Sequence, residues 1–134
     1  MGQALMLKLK SSPCQIKYLE SFVLSLKHKC ALSQDVHDNI LISLTEAVNN
    51  AIIHGNGNNE KKYVDVKCKE GKDQIIISIS DEGSGFDYNG LSDPTLPENI
   101  ECCGGRGVFI MQQLSDKMVF VNNGTTIQLH FKRI

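Results

Sequence analysis

Glu46 and Asn50 stand four residues apart in "LTEAVNNAIIHG" (Leu44 to Gly55), so a helix would put them on one face with Asn49 and Ile53 beside them. Asparagine inside a helix costs roughly half a kcal/mol relative to alanine. Nothing in the local apolar pattern asks for two in a row, but their chemistry offers a reason. An amide oxygen is a hard ligand suited to Mg²⁺, which takes one or two protein ligands and completes its shell with phosphate oxygens and water. A carboxylate one turn away is placed to accept the proton of a hydroxyl or water attacking a phosphate. His54 closes the stretch, where it either neighbours those phosphates or simply finishes the helix.

Two further segments have chemistry of their own. In "SISDEGSGFD", Asp81 sits where a strand ends, followed by Gly83 and Gly85. A buried carboxylate there can accept a hydrogen bond from the exocyclic amine of adenine, whereas guanine would present a carbonyl oxygen and be repelled; the same residues read equally as a plain Asp-Gly turn. Gly83, without a Cβ, lets backbone approach a base closely. In "GGRGVFIM" (Gly104 to Met111) glycines run straight into a helix, whose exposed N–H groups and dipole favour phosphate. Neither cluster is a dinucleotide fingerprint, because Tyr88 and Ile110 occupy the positions of the third glycine, and no GxxxxGK[ST] loop is present.

These segments need elements to position them. Apolar and polar residues alternate in "ALMLKLK" (Ala4 to Lys10), which suits a first strand. "SSP" offers a serine cap and a proline at the first helical position, and Leu19, Phe22, Val23, Leu26 and Cys30 then follow at helical spacing. Ser33 is placed to cap a second helix with the stripe Ile40, Leu41, Leu44, Ala47, Val48 and Ala51; Gly55 ends it and "GNGNNEKK" turns. Strands are expected over Tyr63 to Glu70 and Gln74 to Asp81, joined as a hairpin by "GKD". Tyr88 to Gly104 reads as a long loop and Gly107 to Leu114 as a third helix. "KMVFV" and "TTIQLHF" flank "NNG", a hairpin signal. The expected fold is an α/β two-layer sandwich: a mixed, mostly antiparallel sheet with helices on one face.

Composition narrows the class. The 134 residues are expected to form one domain, 1–134, and are 41% hydrophobic and 22% charged, with a net charge of -1. That balance lacks the basic footprint of a nucleic-acid binder. No apolar run approaches a membrane span, and the N-terminus has no secretory apolar core. Five cysteines without a CxxC pair fit neither a disulfide framework nor a zinc site, so a reducing cytoplasm is the expected setting.

Together, "EAVNNAIIHG", "DEGSGF" and "GGRGVFIM" resemble the N, G1 and G2 boxes of the GHKL ATPase superfamily. The form of the N box, and "DPTLPEN" in the long loop, are similar to those of the RsbW/SpoIIAB-like anti-sigma factors, which are serine-protein kinases. The resemblance covers essentially the whole chain and implies the Bergerat ATP-binding fold. It implies Asn50 as Mg²⁺ ligand, with Asn49 and His54 nearby, and Glu46 as catalytic base. Asp81 would bind the adenine amine, with Gly83 and Gly85 lining the base. Gly105, Arg106 and Gly107, with Val108 beside them, would contact the phosphates of ATP. Thr125, with Thr126 as the alternative, would help Asp81 hold the adenine. The resemblance further implies a homodimer that binds a sigma factor and phosphorylates a serine of a STAS-domain anti-sigma antagonist. The alternative is a non-catalytic module that uses ATP to switch its affinity for a partner. Retention of both Glu46 and Asn50 favours the enzyme, since binding alone needs no carboxylate.

Overall fold

A computed structural model of the chain describes residues 5–83 and 105–133. Its strands are β1 (Leu5–Lys10), β2 (Tyr63–Glu70), β3 (Gln74–Ser80), β4 (Lys117–Val121) and β5 (Thr126–Lys132); its helices are α1 (Lys17–Cys30), α2 (Gln34–Asn50) and α3 (Gly105–Leu114). The strands form one sheet in the order β1-β2-β3-β5-β4. The pairing is antiparallel as mostly expected, but the sheet is not mixed: among the described residues all four pairings are antiparallel.

Register places the period-two pattern of each strand on a common face. Leu7, Val66, Ile79, Ile127 and Phe120 stand in one row across the sheet, and Cys68, Ile77, Leu129 and Met118 in the next. This apolar face forms one core with the stripes of the helices: Leu19, Val23 and Leu26 of α1, Ile40, Leu44 and Val48 of α2, Met111 of α3. The opposite face carries Lys8, Lys67 and Lys69, all exposed. A one-residue slip in any strand would exchange the two sets, so burial itself fixes the register.

Helix ends follow local chemistry. Pro13 opens a short 3₁₀ turn, Pro13–Ile16, that leads into α1. The Ser12 side chain makes no capping bond; its hydroxyl lies 3.2 Å from Cys14 Sγ instead. Ser33 does cap α2, accepting from Val36 N at 3.2 Å. α2 is not stopped at Gly55 by a simple cap: it widens into a π turn over Ala51–Gly55. The widening is visible in Asn56 N, which donates to Ala51 O five residues back at 2.8 Å. Such turns recur at functional sites because they re-aim the side chains beside them. α3 starts at Gly105, two residues before the expected Gly107. Among the described residues, Cys30 and Cys68 are buried free thiols, and burial pushes Cys68 up to about 12, so neither is a reactive thiolate.

Candidate functional site

β3 ends at Ser80 opposite Thr126 of β5, so the register alone brings Asp81 beside Thr125. A backbone bond fixes the pair: Asp81 N donates to Thr125 O at 2.9 Å. Thr125 is held in turn, its hydroxyl donating to Asn122 O at 2.8 Å, after a turn in which Asn122, Asn123 and Gly124 all take positive φ. The adjacent Thr126 hydroxyl lies instead 2.8 Å from Ser80 Oγ. Thr125, not Thr126, lines a cavity of about 170 Å³ at this end of the sheet.

That cavity has an apolar wall of Ile79, Val108, Met111, Phe120 and Ile127. Its polar groups are few: Asp81, Asn50, His54 and Thr125. An apolar slot with a few convergent polar groups is the usual form of a small-molecule site. Asp81 is half-buried. Burial holds its carboxyl above its ordinary value, while the Gly83 N–H and the Lys62 ammonium oppose that shift. Asp81 Oδ1 accepts from Gly83 N at 2.8 Å, and among the described residues no donor reaches Oδ2.

Two glycines make this placement possible. A Cβ on Gly55 would lie 2.3 Å from Asp81 Oδ2, and one on Gly83 would lie 2.0 Å from Gly55 O. Gly83 therefore packs backbone to backbone against the end of α2, and Gly55 makes room for the carboxylate. Sequence reading gave Gly55 only the duty of ending a helix. Its contact with Asp81 depends on a strand far along the chain and carries no local signal. Gly55→Ala is expected to drive the Asp81 side chain out of its rotamer and to weaken ATP binding by roughly tenfold or more, the worth of a hydrogen bond to a charged group. Calorimetric titration of the folded variant checks this.

The third segment meets the first. A Cβ on Gly107 would lie 3.0 Å from Asn50 Nδ2 and 3.1 Å from Glu46 Oε2. The first turn of α3 thus sits directly against the pair of α2 side chains that the four-residue spacing put on one face. Glu46 and Asn50 are both half-buried there. Val108 is buried beside them, and His54 is exposed at the cavity's edge. Asn49 does not line the cavity. Gly105 opens α3, whereas Gly85 and the Arg106 side chain lie outside the described residues, as do Cys102 and Cys103.

Asn50 is the candidate metal ligand in this part of the cavity. No group of three or more His, Cys, Asp or Glu side chains converges among the described residues. An ion held by the Asn50 amide would fit Mg²⁺, which takes one or two protein ligands and completes its shell with phosphate oxygens and water. The N-terminus of α3 faces Asn50, and N–H groups at a helix start are suited to an anion.

Comparison with known proteins identifies the family and the fold. The family model of the histidine kinase-like ATPase domain matches residues 9–131. "Serine-protein kinase RsbW" of Staphylococcus aureus strain JH9 is 30% identical over 128 residues, covering 87% of this chain and 80% of the relative. The protein of the same name from strain Newman gives the same values. Among solved structures, the RsbU and RsbW domains of a Mycobacterium tuberculosis protein superpose with a TM-score of 0.67 at 13% identity, over 98% of this chain and 32% of that longer one. At that identity the likeness speaks for the fold, and the chain spans about a third of that polypeptide.

Proposed function

The chain belongs to the histidine kinase-like ATPase domain family, alongside the RsbW serine-protein kinases, and on that premise we propose that it is a Mg·ATP-dependent protein serine kinase acting as an anti-sigma factor. The observation that carries the reading is the seat of Gly107 against both Glu46 and Asn50, of which Asn50 lines the same cavity as Asp81 while Glu46 and Gly107 do not. One volume can then hold a base at Asp81 and phosphates at the start of α3.

In this reading Asp81 Oδ2 accepts from the adenine amine while the apolar wall covers the purine faces. Thr125 supports Asp81 through its carbonyl, and Gly83 leaves room for the base. The phosphates lie on the N–H groups at the start of α3, near Gly105, Arg106, Gly107 and Val108. Asn50 would hold Mg²⁺, which, when bound, neutralises charge on the phosphates. Glu46 takes the proton of the incoming serine hydroxyl as its oxygen bonds to the γ-phosphorus and the bridging oxygen leaves with ADP. Most of the acceleration comes from positioning and charge neutralisation, as in phosphoryl transfer generally.

The partners in this proposal are a STAS-domain anti-sigma antagonist bearing the target serine, and a sigma factor bound by a homodimer in the cytoplasm. No described helix is long and apolar enough to cross a membrane. Incubating the protein with γ-labelled ATP and candidate STAS-domain proteins is expected to place label on a serine. ATP binding without any labelled serine would favour the ATP-switched binding module instead. Absence of Mg-dependent ATP binding would remove both readings.

A further inference from the structure

Asn56 follows the π turn and is almost fully buried, at 4% exposure, although it stands in a run of turn residues whose next four members are exposed. Its side chain makes three hydrogen bonds. Nδ2 donates to Ser11 Oγ at 2.7 Å and to Tyr63 O at 3.0 Å, and Oδ1 accepts from Glu82 N at 2.7 Å. Ser11 is itself tied down, its hydroxyl donating to Lys62 O at 2.9 Å. One amide therefore joins the end of α2, the end of β1, the start of β2 and the turn after β3. The last of these is the turn that carries Asp81 and Gly83. Its Glu82 side chain also accepts from Tyr63 N, a second clamp on the same three residues.

We propose that Asn56 is a positioning residue for purine selection: through Glu82 N, its Oδ1 fixes the Asp81–Gly83 turn so that Asp81 presents an unshared oxygen to the exocyclic amine of the base. This rests on the reading of Asp81 as the group that recognises adenine. The turn is also tied by Asp81 N to Thr125 O and by Tyr63 N to the Glu82 carboxylate, but neither of these bonds engages the Glu82 N–H. Gly83 N closes back onto Asp81 Oδ1 within the turn, and Gly83 lies against Gly55 O so closely that a small displacement of the turn must move the carboxylate. A buried amide with three bonds of good length has no alternative rotamer that keeps them, so it transmits the position of α2 to the turn. Asn56 does not line the cavity, and it acts only through the backbone of Glu82.

The test compares Mg·ATP with Mg·ITP, which differ in the amine that Asp81 reads. The parent is expected to prefer ATP by roughly tenfold or more, the scale of one hydrogen bond to a carboxylate. Asn56→Ala is expected to bring that ratio close to one, chiefly by weakening ATP. Ser11→Ala removes a bond from the other side of the same network and is expected to lower Tm while leaving the ratio intact, which separates positioning from general loosening. Asn56→Asp retains the acceptor for Glu82 N and is expected to keep most of the preference at a lower Tm; it serves in place of the alanine variant should that one not fold. A folded Asn56→Ala with the parental ratio, or a folded Asn56→Asp without it, overturns the proposal. A parent that binds ATP and ITP equally overturns the adenine reading of Asp81 instead.

Discussion

Glu46→Gln is expected to bind Mg·ATP close to parental affinity and to lose phosphoryl transfer by about 10²–10⁴-fold, the usual contribution of a positioned general base. The substitution is isosteric and glutamine is as good a helix former as glutamate, so the contact with the first turn of α3 survives. What disappears is the capacity to accept a proton. Because the transition state of phosphoryl transfer is loose, with little proton movement required early, the lower part of that range is the firmer expectation. Single-turnover labelling of the partner serine gives the rate, and calorimetry on the same preparation gives the affinity. Transfer at the parental rate by a variant that binds ATP would remove Glu46 from the chemistry.

Asp81→Asn is expected to abolish the preference for adenine while making the nucleotide-free protein slightly more stable at neutral pH. The stability half follows from linkage. Burial holds the Asp81 carboxyl above its ordinary value of 3.8. The folded state therefore favours the protonated form, so the group's contribution is fully present below 3.8 and is lost as pH rises through the raised value. At pH 7 the ionised carboxylate costs the fold something that a neutral amide does not. Melting curves should show the variant above the parent at pH 7, the difference closing below the ordinary carboxylate value. The binding half follows from geometry. Gly83 N already occupies Oδ1, so an asparagine that keeps that bond presents its NH₂ to the base. A donor facing the adenine amine is repelled, whereas the carbonyl of inosine or guanine is attracted. The ratio of ATP to ITP affinity should fall by at least tenfold and can invert. An unchanged ratio in the folded variant would mean that Asp81 does not read the base.

The two outcomes together describe a site that gives up some stability for selectivity, as functional sites often do. The ionised carboxylate is unfavourable until a ligand partners it.

Much of this was legible in the chain because it depends on local periodicity. The i, i+4 spacing of Glu46 and Asn50 fixes a common face before anything else folds. Alternation in "QIIISIS" and "TIQLHF" fixes which strand residues face the core. "NNG" fixes a hairpin, since asparagine and glycine tolerate the positive φ found at Asn122, Asn123 and Gly124. The order of the three motifs along the chain was sufficient to suggest ATP.

Tertiary structure alone decided what depends on strand register and close approach. Thr125 rather than Thr126 reaches the cavity because Thr126 pairs with Ser80 and its hydroxyl bonds Ser80 Oγ. Gly55 serves Asp81, and Asn56 serves Glu82, because the strand order returns β3 to the end of α2. The π turn that aims this end has an i→i+5 bond but no apolar period of its own, so it left no trace in the pattern. Spacing within one element is set by backbone geometry a few residues long. Contacts between distant segments are set by which faces must be buried together, and only the assembled core determines that.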